Sequence, residues 1–156
     1  MTARPLYIFD LDGTLALIGH RRHYVQCPRE EQNWAAFSAA CVDDEPNLPV
    51  ISAMLGLIES GAEVWIFSGR SDVVRAETIQ WLSDHAKWHR PLDTPALTMR
   101  REGDYTPDDE LKLGWLNSML PEDRERLVAV FEDRDRMVTM WRANGVACFQ
   151  VAPGDF

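Results

Sequence analysis

The chain has 156 residues, 46% of them hydrophobic and 26% charged, a composition that excludes wholesale disorder and supplies one well-buried core but not two catalytic lobes. A formal net charge of −9 argues against binding along many nucleic-acid phosphates, which needs a basic face, and leaves a single terminal phosphate open as a ligand. Cys27, Cys41 and Cys148 sit at unrelated spacings and describe no disulfide framework, and no apolar run approaches the roughly 18 residues of a spanning helix, so a reduced, cytoplasmic chain without membrane contact is expected.

Met1 to Pro5 leads straight into the first predicted strand, Leu6-Tyr7-Ile8-Phe9, rather than into a signal sequence. Asp10-Leu11-Asp12-Gly13-Thr14-Leu15 follows, two carboxylates one residue apart at a strand tip, with a glycine that lets the chain turn sharply. The segment from Ala16 to Asn47 is longer than a crossover needs; it is expected to form a small insert or flap with a helix over Glu30 to Val42. A helix is predicted from Leu48 to Glu59 and a strand at Val64-Trp65-Ile66-Phe67. Ser68-Gly69-Arg70 comes next, ahead of a helix over Asp72 to Ala86, which would place the serine hydroxyl and following N–H groups at a helix N-terminus, where phosphate oxygens bind.

A weaker strand, Ala96-Leu97-Thr98-Met99, precedes Arg100 and Arg101, which beside Glu102 and Asp104 read equally well as a solvated ion-paired loop or a substrate patch. The helix predicted from Pro107 to Leu120 carries Lys112, one of only two lysines against fourteen arginines. Leu127-Val128-Ala129-Val130-Phe131 is the next strand, closed by Glu132-Asp133-Arg134-Asp135. A helix over Arg136 to Asn144 and a strand over Val146 to Val151 complete the series.

Strands without polar alternation, separated by helical periods, describe a doubly wound α/β sheet buried on both faces. In such sheets ligands gather beyond the carboxyl ends of the strands, so Asp10, Ser68 and Asp133 would converge on one crevice. There Asp10 can attack phosphorus, while Asp12 protonates the leaving oxygen and later activates water. Lys112 can neutralise the transferred group, and Asp133 with Asp10 can hold Mg²⁺, an ion bound through one or two carboxylates plus substrate phosphate. Each motif alone has an ordinary reading as a turn, a helix cap or a solvated lysine; the four in chain order point to one phosphate site.

With these motifs the chain resembles a haloacid dehalogenase (HAD) superfamily phosphatase: Asp-x-Asp-Gly-Thr at 10 to 14, serine at 68, lysine at 112 and acids at 132 and 133. The resemblance covers essentially the whole chain. It implies one domain over 1 to 156, a Rossmann-like three-layer sandwich with a five-stranded parallel sheet, a small insert at about 16 to 47 and no full cap domain. It further implies an aspartyl-phosphate at Asp10, Asp12 as acid/base, and Mg²⁺ held by Asp10, the Asp12 carbonyl and Asp133, with Glu132 as a further candidate.

The chain is also similar to the 3'-phosphatase half of phage polynucleotide kinase/phosphatase. The shared residues are Ser68-Gly69-Arg70, Asp108-Asp109 ahead of Lys112, Glu132-Asp133-Arg134, Met137-Val138, Met140-Trp141-Arg142, Gly145, Phe149-Gln150-Val151-Ala152 and Gly154-Asp155-Phe156. That likeness implies Thr14, Arg21, Ser68, Gly69 and Arg70 as substrate contacts, with a 3'-phosphorylated nucleic-acid end or nucleotide as substrate. No G-x-x-x-x-G-K-[ST] occurs, so no kinase half is expected in this chain. The chain departs from the family in the added residues of the insert and in Glu132, where an aspartate is expected.

Two other readings stand beside this one: a small-molecule HAD phosphatase acting on sugar phosphates or 5'-nucleotides with the insert as lid, and a noncatalytic module for phosphorylated ends. Two clustered carboxylates would repel an anionic ligand without metal and chemistry, which weighs against the module. His20, His23, Cys27 and Cys41 have zinc-ligand chemistry at spacings that match no standard zinc pattern. His20 and His23 are expected to flank the mouth, and Trp34, Phe37, Trp81, Trp88, Trp115 and Trp141 to pack in the core, with one near the mouth able to stack on a base.

Overall fold

In a computed structural model, residues 3–155 are described; Met1, Thr2 and Phe156, the last of them part of the expected likeness, lie outside the described residues. The strands are β1 (Leu6–Phe9), β2 (Ala16–Leu17), β3 (Glu45–Pro46), β4 (Glu63–Ser71), β5 (Leu97–Arg100), β6 (Leu127–Glu132) and β7 (Cys148–Gln150). The helices are α1 (Trp34–Ala39), α2 (Leu48–Glu59), α3 (Arg75–Ala86), α4 (Asp108–Asn117), α5 (Pro121–Arg126) and α6 (Asp135–Ala143).

Five strands form a parallel sheet in the order β5-β4-β1-β6-β7, so the expected three-layer α/β architecture is the one found. Period-two alternation sorts the strand side chains onto two cores. Phe9, Val64 and Ile66 join Met54 of α2 and Trp81 and Leu82 of α3 on one face. Ile8, Phe67 and Val130 join Leu116 of α4 and Met137 and Trp141 of α6 on the other. Burying each such side chain stabilises by roughly 1.5–3 kcal/mol, which is why runs lacking polar alternation settle in the sheet's interior.

Between β1 and α2 the chain makes an excursion that the antiparallel pair β2–β3 closes at its base. Asn47 fastens the return, its N–H donating to Leu15 O at 2.8 Å and its Nδ2 to Thr14 O at 2.8 Å. The helix expected over Glu30 to Val42 is shorter: Asn33 caps it by accepting from Ala36 N at 2.9 Å, α1 ends at Ala39, and a 3-10 turn carries Ala40–Asp43. Trp34, expected in the core, is 59% exposed, whereas Trp81, Trp88 and Trp141 are buried. The helix expected from Asp72 opens as a 3-10 turn, Asp72–Val74, and becomes α-helical at Arg75. No helix among the described residues is long and apolar enough to cross a membrane.

Candidate active site

The first motif owes its shape to its leucines. Leu11 and Leu15 are wholly buried, and Leu11 O accepts from the N–H groups of Thr14, Leu15 and Ala16 at 3.1, 3.0 and 2.9 Å, winding the loop into a tight coil beyond β1. Asp10 N donates to Phe131 O at 2.9 Å, which fixes the first carboxylate beside the end of β6. Gly13 has φ +85°, and a Cβ there would stand 2.1 Å from Asp133 Oδ2, so only glycine lets the coil lie against the second acidic motif.

At that junction Lys112 of α4 reaches between two strand tips. Its Nζ donates to Asp10 Oδ1 at 2.6 Å and to Glu132 Oε2 at 2.8 Å, all three groups buried. Carboxylate oxygens of Asp10, Glu132 and Asp133 lie within 4.8 Å of one another. Burial, then the charge of Glu132, raises Asp10 to about 8, against the pull of Lys112. Burial and the charge of Asp10 lift Asp133 to about 6. Burial also raises Glu132 against the pull of Lys112. For Lys112, burial favours the neutral amine, but Asp10 and Glu132 outweigh it and keep the ammonium charged.

Three carboxylates gather around one ammonium, so once they ionise the cluster carries surplus negative charge. Asp133 Oδ1 is buried and has no hydrogen-bond partner, a costly state for a carboxylate oxygen unless a cation completes it. The donor set is all oxygen, as Mg²⁺ requires. The residues present therefore fit a divalent cation bound by Asp10 and Asp133, with Glu132 held in reserve by its lysine.

Asp12 faces a different environment. Its Oδ1 accepts from Arg21 Nη2 at 2.8 Å and Arg70 Nη2 at 2.5 Å, and its side chain is 20% exposed. Burial disfavours its charge, but Arg70 and Arg21 outweigh burial and hold the carboxyl below the usual range. Arg70 reaches inward because β4 bulges: Ser68 pairs with Met99 and Ser71 with Arg100, leaving Gly69 and Arg70 unmatched. The sequence ended the strand at Phe67, ahead of a helix from Asp72; the strand instead runs on to Ser71, so Ser68, Gly69 and Arg70 lie within a bulged strand end. Ser68 is fully buried, its Oγ accepting from Arg70 N at 3.2 Å. Gly69 is close to Asp108: a Cβ there would meet Asp108 Oδ1 at 2.9 Å.

The residue that sequence reasoning missed is Asp44. Its buried carboxylate accepts from Arg21 Nε and Nη2, both at 2.7 Å, from Arg70 Nη2 at 2.9 Å and meets His20 Nε2 at 2.9 Å, while its carbonyl accepts from Trp81 Nε1 at 2.8 Å. Arg21 also lies 4.3 Å over the Phe37 ring and donates to Phe37 O, so the insert supplies both a cation and its counter-ion to the site. Arg21 has no exposed surface and Arg70 only 4%, and Thr14 is wholly buried with its hydroxyl on Asp10 Oδ2 at 3.3 Å. Expected as substrate contacts, these three hold two carboxylates of the site in place, Arg21 and Arg70 bonding to Asp12 and Thr14 to Asp10.

Farther along the strand tips Asp108 Oδ1 pairs with Arg100 and Oδ2 with Arg134 Nη1 at 2.5 Å. The segment after β7 closes over the acidic motif. Gln150 Nε2 donates to Asp133 O at 2.9 Å, Asp135 N donates to Gly154 O at 2.7 Å, and a Cβ on Gly154 would stand 2.2 Å from Asp133 O. The four zinc-type residues have separate surroundings: His20 meets Asp44, His23 packs on Tyr24 at 4.0 Å, Cys27 donates to Tyr24 O at 3.7 Å, and Cys41 is buried.

A family model described as the polynucleotide kinase PNKP phosphatase domain matches residues 4–156. Over 134 residues the chain is 30% identical to a protein of Autographa californica nuclear polyhedrosis virus whose name gives it as a bifunctional polynucleotide kinase/RNA ligase, covering 85% of this chain and 17% of that protein. A chain from the structure of the Pnkp1/Rnl/Hen1 RNA repair complex superimposes with a TM-score of 0.77 at 28% identity, over 100% of this chain and 45% of the other. The class C acid phosphatase from Bacillus anthracis, at 13% identity, shares the fold with a TM-score of 0.62 over 99% of this chain and 68% of its own. The chain thus spans less than half of the viral and repair-complex chains it resembles.

Proposed function

The chain belongs to the polynucleotide kinase PNKP phosphatase domain family and is a HAD-type phosphatase; we propose that it removes the 3'-phosphate from nucleic-acid ends through a phosphorylated Asp10, with Mg²⁺ as cofactor. The observation that carries this reading is Asp10 bound to Lys112 beside the buried, unpartnered oxygen of Asp133. The names of the relatives, a kinase/ligase and an RNA repair complex, support a nucleic-acid end over a free metabolite.

In the first half-reaction an Asp10 oxygen attacks phosphorus, the bond from phosphorus to the substrate's 3' oxygen breaks, and Asp12 gives that oxygen its proton. In the second, Asp12 takes a proton from water, the water oxygen attacks the same phosphorus, and phosphate leaves with Asp10 restored. Arg21 and Arg70 keep Asp12 ionised at rest, the form the second half needs. An arriving phosphate adds negative charge near that pair and favours the protonated form that the first half needs. Lys112 keeps the charge of Asp10 and of the transferred group balanced. Asp10, Asp133 and the Asp12 carbonyl would hold Mg²⁺, with Glu132 as a further ligand candidate, and the ion would supply neutralisation of the phosphoryl oxygens.

The test is a phosphate-release panel with and without Mg²⁺ at fixed salt, comparing 3'-phosphorylated oligonucleotides, 3'- and 5'-mononucleotides and sugar phosphates. Preference for the oligonucleotide and a hydroxylamine-sensitive phosphoenzyme absent from Asp10→Asn are expected. Preference for sugar phosphates or 5'-nucleotides would overturn the substrate reading; turnover by Asp10→Asn would overturn the covalent step.

A further inference from the structure

Tyr105 is the most exposed large apolar side chain among the described residues, at 93% against 64% for the next, Leu48. A single exposed aromatic is ordinary on a protein surface. What sets this one apart is the backbone beneath it. Arg100 Nη1 donates to the carbonyls on both sides of Tyr105, Asp104 O at 2.9 Å and Thr106 O at 2.7 Å. Thr106 N donates to Asp104 Oδ1 at 2.9 Å and Asp104 N to Arg101 O at 3.1 Å, closing the loop on itself. A ring that fluctuates with its loop would lose its exposure to local collapse; here the backbone that carries the ring is fixed by hydrogen bonds on either flank.

The clamp also ties the ring to the site. The same Arg100 donates its Nε to Gly69 O at 3.0 Å, next to Ser68, and pairs through Nη2 with Asp108. The loop follows the carboxyl end of β5, the side of the sheet on which the acidic cluster lies. Arg101 is exposed on the same loop but is followed by Glu102 and Asp104, so what the loop offers a polynucleotide is the ring rather than charge.

We propose that Tyr105 is a stacking platform for a nucleobase of the polynucleotide whose end occupies the site. The inference rests on the 3'-end reading above and deepens it. A π-face preorganised in water accepts any base, so the loop confers preference for polymers over small esters without sequence selectivity.

The test compares Tyr105→Ala and Tyr105→Phe with the wild-type chain, in Mg²⁺, on a 3'-phosphorylated oligothymidylate, its abasic counterpart and p-nitrophenyl phosphate. The alanine variant is expected to lose about tenfold in kcat/KM on the oligonucleotide, through KM, as loss of one stacked base predicts. Phenylalanine retains the wild-type value, p-nitrophenyl phosphate is unaffected in both, and the abasic substrate no longer distinguishes alanine from tyrosine. Equal losses on the oligonucleotide and p-nitrophenyl phosphate, or no loss on either, overturn the role of Tyr105 while leaving the 3'-end reading in place. A wild-type chain that turns over p-nitrophenyl phosphate but not the oligonucleotide overturns both.

Discussion

Asp12 and Asp44 accept hydrogen bonds from the same two nitrogens, Arg21 Nη2 and Arg70 Nη2. The carboxylate assigned to proton transfer is therefore positioned by a second carboxylate that lies at the far end of the insert. Asp44→Ala leaves two buried guanidiniums on the single carboxylate of Asp12, one positive charge uncompensated, a loss of roughly 3–5 kcal/mol. Thermal unfolding should fall by on the order of 10 °C, with turnover collapsing on p-nitrophenyl phosphate and oligonucleotide alike. A stable, active Asp44→Ala chain would show that the network does not set the site.

Arg70→Ala is expected to lower kcat by a similar factor on every substrate, because a guanidinium that is 4% exposed and bonded to Asp12 acts through Asp12. Arg70→Lys should not rescue it, since one ammonium cannot span Asp12, Asp44 and Thr78 as the fork does. Steady-state kinetics with a large and a small substrate decide the matter; a defect confined to KM for the oligonucleotide would place Arg70 on the substrate instead.

Chelation should expose the strain in the acidic cluster. Without a cation Asp10 rises to about 8 and Asp133 to about 6 from an ordinary 3.8, so the folded state holds their protons more tightly than the unfolded state does. Their contribution to stability is then full below about pH 4 and is lost as pH rises toward 8. In a chelator the melting temperature should decline over that window, less steeply in Asp133→Asn. At pH 8 Mg²⁺ should raise the wild-type melting temperature and leave Asp133→Asn unmoved. A wild-type melting curve indifferent to Mg²⁺ would remove the metal assignment.

Gly154→Ala should damage the site from outside it. The added methyl would stand 2.2 Å from Asp133 O, and backbone on both sides must give way. Loss of the Mg²⁺-dependent gain in melting temperature, together with lower turnover, is the expected pair of readouts; a variant with full activity and full Mg²⁺ response contradicts the close packing.

The thiols offer a structural check that is independent of activity. Burial, then the charge of Glu132, pushes Cys148 up to about 12, and burial also raises Cys41. A raised pKa means less thiolate at any given pH, and the thiolate is the reactive form. Native protein at pH 8 should take up one equivalent of iodoacetamide at half-exposed Cys27, as read by mass spectrometry, and denatured protein three. Rapid native labelling of Cys148 would mean that β7 is not packed into the sheet core as described.

Strand cores and the α2 boundaries were legible because apolar runs and helical periods are local signals. The ribbon β2–β3 was not, since two-residue strands leave no pattern, and neither was α5, whose Pro-Glu-Asp-Arg-Glu-Arg carries no apolar stripe. Among site residues, Asp10, Asp12, Lys112 and Asp133 could be read because each sits at a recognisable position beside a strand or helix. Asp44 could not: within Asp43-Asp44-Glu45 it looks like surface charge, and only folding shows which of the three turns inward onto the arginines. The bulge after Ser68 was not legible either, because a bulge depends on the register of the neighbouring strand rather than on local sequence.

The clasp of Gln150 and Gly154 over Asp133 also orders the events of biosynthesis. The network around Asp12, built from residues 12, 21, 44 and 70, has all its members once the first part of the chain has left the ribosome. The acidic cluster draws on residues 10, 112 and 133 and is braced by residues 150 and 154, so its parts are complete only after those later residues emerge. On the proposed mechanism, a nascent chain would gain hydrolytic competence only once residue 154 has emerged.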